Sequence, residues 1–429
     1  MQTVRIFHLK NLSKTACKLI YEGQKESGRL WNFCCENHRV AREAKEKWPS
    51  RDALQKLTKG NFAIHSQSIQ MVCHAFLANI DTAVQLKRTN KRIRLPYRQK
   101  NFYPLLWPKQ AIKWENGILI LPMGRGRKSL CLKVDLEKEQ MGACKVIWDD
   151  GYQLHVALES LDIAPPKMET SLRATVDLGQ IHLAAVTTET GKSLIVSGRG
   201  IRALKRQRNK TAGQIAKKQV RCSKGSRRWK KLQKAKRKIY SRAKRRVRDQ
   251  RHKATRQVID FCKSEEISNL YVGNPEGVQR KNSGRHQNQR MSQWEFGKDI
   301  SYLEHKSKKM GIVCFNGSER GTSNHCPQCD HKQKVKGRLW RCRHCNLVLH
   351  RDIVGSVNMF PLGFGTKIPI PSLITYLLPG ELRQTRRSSS LGTGQSCFAK
   401  LRKSSQQGFC ATKVAGDFEK SHLQEAHPL

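Results

Sequence analysis

Arg173-Ala-Thr-Val-Asp-Leu-Gly-Gln-Ile-His-Leu-Ala-Ala-Val-Thr-Thr-Glu-Thr-Gly-Lys-Ser-Leu-Ile-Val-Ser-Gly198 carries three strand-like runs, Arg173–Leu178, Leu183–Thr188 and Ser193–Gly198. Gly179 and Thr190-Gly191 supply the turns between them, so the stretch reads as an antiparallel meander. Its first strand ends on an acid, Asp177, just before Gly179. By itself that is an ordinary place for an aspartate that opens a turn. The flanking sequence gives it a second meaning.

Downstream, Arg199–Arg256 contains 26 Lys or Arg and a single acid, Asp249, with no proline. Its sparse apolar residues are spaced for one or two long helices. Ile267–Val272 reads as a strand, Met291–Met310 as a helix and Ile312–Phe315 as a further strand. Upstream, a mixed α/β region runs to about Met168, with an aromatic core expected from Trp31, Trp48, Trp107, Trp114 and Trp148. Ser66–Leu86 sets Ile69, Val72, Cys73, Phe76, Leu77 and Ile80 on a 3.6-residue stripe, which predicts an amphipathic helix. Gly117–Pro122, Leu130–Val134, Cys144–Trp148 and Tyr152–Ala157 are short and β-prone, predicting a small barrel interrupted by that helical insertion. After about Pro361 Ser, Gly, Gln and Thr dominate, and a poorly ordered tail is expected.

The 429 residues include 83 Lys or Arg against 33 Asp or Glu, a net charge of +50. Charged residues are 27% of the chain, close to the average of about 25%, so the anomaly lies in sign rather than amount. Most ordinary enzymes are excluded and a polyanionic partner is the first expectation. Arg199–Arg256 concentrates that charge: 26 cations against one anion cannot form offsetting i,i+4 pairs, and a bound nucleic acid would relieve the repulsion. Within it, Trp229 and Tyr240 are candidates for base stacking or for packing, and His252 for packing or a phosphate contact. No run of 18 apolar residues occurs and Met1–Lys10 has no apolar signal core, so the expectation is a soluble, intracellular, non-secreted protein without a membrane partner.

Cys326-Pro-Gln-Cys329 and Cys342-Arg-His-Cys345, separated by twelve residues, form the strongest local signal. Each C-x-x-C turn aims two thiolates at one ion, and two such knuckles complete the closed tetrahedral cage of a structural zinc ribbon. His325, His331 and His344 lie near, but the four-thiolate set is complete without them.

Carboxylates are scarce, so those at strand ends stand out. Glu319 closes the strand-like Ile312–Ser318, immediately before Arg320-Gly-Thr-Ser323. Asp352, in His350-Arg-Asp-Ile-Val-Gly-Ser-Val-Asn358, follows the ribbon and is placed to open a helix, itself a common position for an acid. Together, a meander ending in Asp, a later strand ending in an acid and a helix carrying another Asp match the ribonuclease-H arrangement. Converging carboxylates there hold two magnesium ions, whose chemistry is phosphodiester cleavage.

Asp177-Leu-Gly, Glu319-Arg-Gly-Thr-Ser, the two cysteine knuckles and His350–Asn358 resemble TnpB, the transposon-encoded OrfB family of insertion sequences. The resemblance extends to Asn274-Pro-Glu-Gly-Val278, Asn288–Trp294 and Tyr97–Trp107, covering roughly residues 1–365. It implies an RNA-guided RuvC-type DNA endonuclease, related to type V CRISPR effectors and Fanzor proteins, that cuts beside a short target-adjacent motif. Its partners would be a guide RNA encoded by the transposon and a double-stranded DNA target. The implied α/β multidomain architecture is a wedge β-barrel with an inserted helical recognition domain at 1–168 and an RNase H-like RuvC domain at 169–320, including the basic helices 199–256. The zinc ribbon would occupy 321–348, the last RuvC helix 349–362 and the tail 363–429.

One departure matters. The family's second acid usually ends the strand that here reads Leu270-Tyr-Val-Gly-Asn-Pro275, where neither Gly273 nor Asn274 offers a carboxylate. Some lineages carry that Glu on a neighbouring strand about 45 residues on, and 319 − 274 = 45. The resemblance therefore implies Asp177, Glu319 and Asp352 as magnesium ligands, with Glu276 as the rival to Glu319, and Cys326, Cys329, Cys342 and Cys345 as zinc ligands. Two alternatives stay open: a nuclease-dead, RNA-guided repressor of the same fold, and a DNA-strand transferase.

Overall fold

A computed structural model of the chain describes residues 2–136, 140–159, 170–275, 277–278, 282–335 and 337–380. Glu276, the turn near 164–166 and the tail from 381 lie outside the described residues. Residues 1–380 form one compact unit.

The first half begins with strand β1 (Gln2–His8), followed by helices α1 (Lys14–Glu43), α2 (Arg51–Thr58) and α3 (Ser66–Thr89). Then come β2 (Leu105–Trp107), β3 (Lys113–Glu115), β4 (Ile118–Leu121), β5 (Leu130–Lys133), β6 (Met141–Trp148) and β7 (Tyr152–Glu159). The expected amphipathic helix is α3, and its stripe residues Ile69, Val72, Cys73, Phe76 and Ile80 are buried. The strands pair as two antiparallel sheets, β1-β7-β6-β2 and β3-β4-β5, over a common core. Helix α1 was not foreseen. Its glycines at 23 and 28 dilute the apolar stripe, and the structure gives the reason for Gly28: a Cβ there would lie 2.9 Å from the Lys100 and Asn101 backbone. The expected aromatic core is only partly right. Trp31 and Trp107 are buried, but Trp148 at the β6–β7 turn is 62% exposed and Trp48 is 40% exposed. A tryptophan at a hairpin tip has no second layer to cover it.

The second half is built on a six-stranded sheet in the order β12-β11-β8-β9-β10-β15. The expected meander is β8 (Arg173–Leu178), β9 (His182–Thr188) and β10 (Lys192–Ser197), all antiparallel. The basic helices α4 (Arg199–Val220) and α5 (Arg227–Ser264) follow, then β11 (Asn269–Asn274), parallel to β8. The single helix expected over 291–310 is two, α6 (Arg285–Ser292) and α7 (Phe296–Lys309). The break at Gln293–Glu295 frees backbone carbonyls that buried cations use: Lys205 donates to the Gln293 carbonyl and Arg251 to that of Glu295 at 2.7 Å. Strand β12 (Val313–Ser318) runs parallel to β11. The ribbon strands β13 (Leu339–Arg341) and β14 (Val348–His350) lead into α8 (Arg351–Asn358) and α9 (Phe360–Phe364).

The expected tail starts too early at 363. Leu373–Leu377 forms β15, parallel to β10, because a short apolar run there completes an otherwise open sheet edge. Strand alternation then sorts the faces. Val176, Val186, Leu194 and Val272 face α5 and α7, whereas Ala185 and Ile195 pack with Ile353, Val354 and Val357 of α8. Thr175 donates to the Ser356 carbonyl of α8 at 2.6 Å, so Asp177, two residues on, points to the α8 side of the sheet.

Candidate active site

Three carboxylates from three elements line one open cleft of about 450 Å³: Asp177 near the end of β8, Glu319 just past β12, and Asp352 in the first turn of α8. The parallel ladders bring them together. Val272 of β11 lies beside Val176 of β8, and Asn274 lies beside Ser318 of β12, so the carboxyl ends of the three strands open on the same cleft. Glu319 is held in a turn whose Thr322 donates backbone N–H and hydroxyl hydrogen bonds to the Glu319 carbonyl at 3.3 and 2.9 Å. Asn358 of α8 pins that turn by donating to the Thr322 and His325 carbonyls at 2.7 and 2.8 Å. Gly355 of α8 leaves room for Asp177: a Cβ at 355 would be 2.6 Å from Asp177 Oδ2.

The three acids are in different electrostatic states. Burial pushes the Asp177 carboxyl well above the usual carboxylate range, and the charges of Glu319 and Asp352 add to it. Burial raises Glu319 to about 7, and its Oε2 is buried without a hydrogen-bond partner. Burial opposes ionisation of Asp352 as well, but His182 and Arg338 outweigh it and hold its pKa below the ordinary value. His182 Nδ1 donates to Asp352 Oδ2 at 2.7 Å, and Arg338 Nη1 reaches both carboxylate oxygens at 2.8 and 3.1 Å. His350 caps α8 by accepting the Asp352 N–H on Nδ1 at 3.2 Å, and burial lowers its pKa to about 4. Three carboxylates lining one cleft, one with an orphaned oxygen, have the oxygen donors that hard divalent cations take.

The cysteines converge as their spacing requires. The Sγ atoms of Cys326, Cys329, Cys342 and Cys345 all lie within 4.8 Å of one another. Cys326–Cys345 and Cys329–Cys342 are 3.5 and 3.6 Å apart, close to the roughly 3.8 Å sulfur separation of a tetrahedral zinc–thiolate cage. Against the effect of burial, the Cys345 and His344 backbone N–H groups and neighbouring thiols lower the Cys342 thiol to about 6, favouring the thiolate that a metal needs. None of the nearby histidines joins this cluster; His331 and His344 stack on each other instead.

Sequence reasoning missed His182 and Arg338. His182 sits in the meander with no motif around it, and Arg338 lies between the cysteine knuckles, so neither is marked by spacing. Of the residues weighed in the basic segment, His252 is exposed and its ring stacks on Tyr302 at 4.2 Å. Tyr240 is 43% exposed, with the Arg208 guanidinium over its ring at 5.3 Å.

Residues 146–279 match the OrfB_IS605 family, described as a probable transposase, and residues 296–359 match the Cas12f1-like TNB domain. These two stretches are similar to TnpB-type and Cas12f-type proteins respectively. A TnpB-like protein of Methanocaldococcus jannaschii is 31% identical over 131 residues, which are 29% of this chain and 45% of the relative. The chain thus spans about half the length of the curated relative it matches. The structure of a Cas12f1–sgRNA–target DNA complex superposes with a TM-score of 0.57 at 13% identity, covering 80% of this chain and 82% of that one. At that identity the likeness is one of fold: the mixed α/β multidomain architecture is similar to that of the Cas12f1 chain. Among the described residues, no helix is long and apolar enough to cross a membrane.

Proposed function

We propose that the chain is a guide-RNA-directed DNA endonuclease that cuts target DNA by divalent-metal-dependent phosphodiester hydrolysis. The observation that carries this reading is the meeting of Asp177, Glu319 and Asp352 in one cleft, although the strand that usually bears the second acid ends in Gly273-Asn274. In this reading β1–β7 form the wedge domain, with α1–α3 as its recognition insertion. The six-stranded sheet with α8 is the RuvC nuclease core, and residues 321–348 form the zinc ribbon. The three acids would hold two magnesium ions and the four cysteines one zinc ion. Bound magnesium supplies activation of the attacking water and stabilisation of the leaving oxygen.

The chain's own residues do the positioning. Gly355 and Asn358 set Asp177 and the Glu319 turn against α8, and His182 and Arg338 fix the Asp352 carboxylate. Arg202, Arg290 and Arg351 also line the cleft and supply positive charge for a phosphate backbone. A repressor that only occupied DNA would need no third acid there, so Glu319 favours the cutting reading. The exposed cations of α4 and α5 suit the backbone of a guide–target duplex.

The test is to sequence the RNA that copurifies with the full chain, then challenge that complex with a randomised double-stranded target library, with and without a chelator. A discrete guide, cleavage beside a fixed short motif and loss of cutting with chelator are expected. Absence of bound RNA, or unguided strand transfer of transposon ends, would overturn the reading.

A further inference from the structure

Gly273 is out of place by strand chemistry. It follows Leu270-Tyr-Val272 in a buried strand, where glycine contributes no packing and costs backbone entropy. Among the described glycines with positive φ, Gly273 does not appear, so the backbone does not demand it. Close approach does. A Cβ at 273 would lie 2.7 Å from Glu319 Oε2, 2.7 Å from Met359 Sδ and 3.1 Å from Glu319 Cβ. The Glu319 side chain therefore lies across the face of residue 273, in space that any side chain on β11 would fill.

We propose that Gly273 is a positioning residue for the active centre: its missing side chain is the opening through which Glu319 reaches from beyond β12 to the acids on β8 and α8. This rests on the reading of Glu319 as the third metal-binding acid. A glutamate at 273 would project from the strand next to Asp177, so positions 273 and 319 offer two routes for a carboxylate into the same space. Only one can be filled at a time. The two atoms nearest a 273 Cβ, Glu319 Oε2 and Met359 Sδ, are ends of flexible side chains, so alanine there should displace the Glu319 carboxylate and leave the sheet intact.

The experiment compares Glu319→Gln, Gly273→Ala, Gly273→Glu and the double variant Gly273→Glu/Glu319→Gly, each as the full chain with its copurified RNA. Cleavage of a target selected from the library, Mn2+ binding followed by the electron paramagnetic resonance of the free ion, and thermal melting are read for each. Gly273→Ala should slow cutting about a hundredfold, as expected for misplacing a reacting group by about an ångström. It should weaken Mn2+ binding about tenfold, with target binding and melting unchanged. Gly273→Glu alone should be as poor, and the double variant should recover to within about tenfold of the parent in both cutting and Mn2+ affinity. Parental cutting by Gly273→Ala beside an inactive Glu319→Gln would overturn the inference. Parental cutting by Glu319→Gln would instead overturn the assignment on which it rests. If Gly273→Ala melts early, the double variant decides: recovery supports the shared route, and no recovery refutes it.

Discussion

The cysteine cage and the carboxylate cluster are both candidate metal centres, yet they are assembled in opposite ways. All four thiols come from one stretch, Cys326–Cys345, whose two turns aim the sulfurs at one point whatever the rest of the chain does. The acids are separated by 319 − 177 = 142 and 352 − 319 = 33 residues and meet only because β8, β11 and β12 are parallel neighbours capped by α8. A local site is written in spacing, and a distributed one in topology. The two are not independent, since Arg338 of the ribbon clamps Asp352. The comparison therefore predicts that damage to the acids is confined to chemistry, whereas damage to the cage spreads.

The largest effect is expected at Glu319. Replacing it with Gln removes the charge of a proposed metal ligand, and a ligated metal contributes several kcal/mol to the transition state, so cutting should fall about a thousandfold. Guide retention and target binding should stay at parental values, because among the described residues Glu319 Oε2 is buried without a hydrogen-bond partner and holds no other element in place. Single-turnover cleavage under saturating complex measures this. A parental rate would remove Glu319 from the cluster.

Cys342→Ser should strike more broadly. Its thiolate is the one already favoured by backbone N–H groups, and a structural zinc site contributes directly to folding of its ribbon. We expect zinc content to fall and protease sensitivity to appear between residues 326 and 350. Cutting should fall about a hundredfold as Arg338 loses its place over Asp352. Elemental analysis with limited proteolysis separates this from a purely chemical defect. Normal zinc content with normal cutting would break the link between the two centres.

The same contrast explains what could be read without coordinates. The cage was legible in full, because C-x-x-C spacing encodes its geometry. The meander and the basic helices were legible from periodicity and turn residues. Asp177 and Asp352 were legible as acids at structurally significant ends, but their convergence was inferred from a pattern and not from any local rule. His182 was invisible: its hydrogen bond to Asp352 spans 170 residues, and no sequence spacing encodes such a pair. Trp148 was misread because hydrophobicity alone cannot tell a hairpin tip from a core, and β15 was missed because its short run gains a partner only once β10 forms an edge.

His182 sharpens the comparison at a smaller scale. Its imidazole touches a proposed ligand and orients the carboxylate from outside. His182→Ala should slow cutting about tenfold and raise the magnesium concentration for half-maximal rate by a similar factor, as for other outer partners of metal ligands. Asparagine, which keeps a donor, should recover part of the loss. A magnesium titration of the cleavage rate distinguishes this from general destabilisation, which would lower the plateau without moving the midpoint. An unchanged midpoint would leave Arg338 as the sole support of Asp352 among the described contacts.

The smallest effect lies in stability against pH, where the two centres should differ in sign. Burial raises Glu319 from 4.5 to about 7 in the folded chain, and Asp177 is raised by burial and by its acidic neighbours. The metal-free fold therefore retains protons that the unfolded chain releases. Stability from Glu319 is complete below about pH 4.5 and is lost as pH rises through about 7, and Asp177 shifts stability in the same direction. A divalent cation replaces those protons, so stabilisation by magnesium should be absent near pH 5 and grow through that window to roughly a few degrees of melting temperature. Cys342, lowered to about 6, behaves oppositely: its thiolate is favoured as pH rises, and stability from it is lost as pH falls. Differential scanning fluorimetry from pH 5 to 8, with and without magnesium, reads the carboxylate part. Glu319→Gln should flatten the magnesium-dependent slope, and Cys342→Ser should leave it in place. If magnesium stabilised the parent equally at both ends of the range, the crowded carboxylates would not be its binding site.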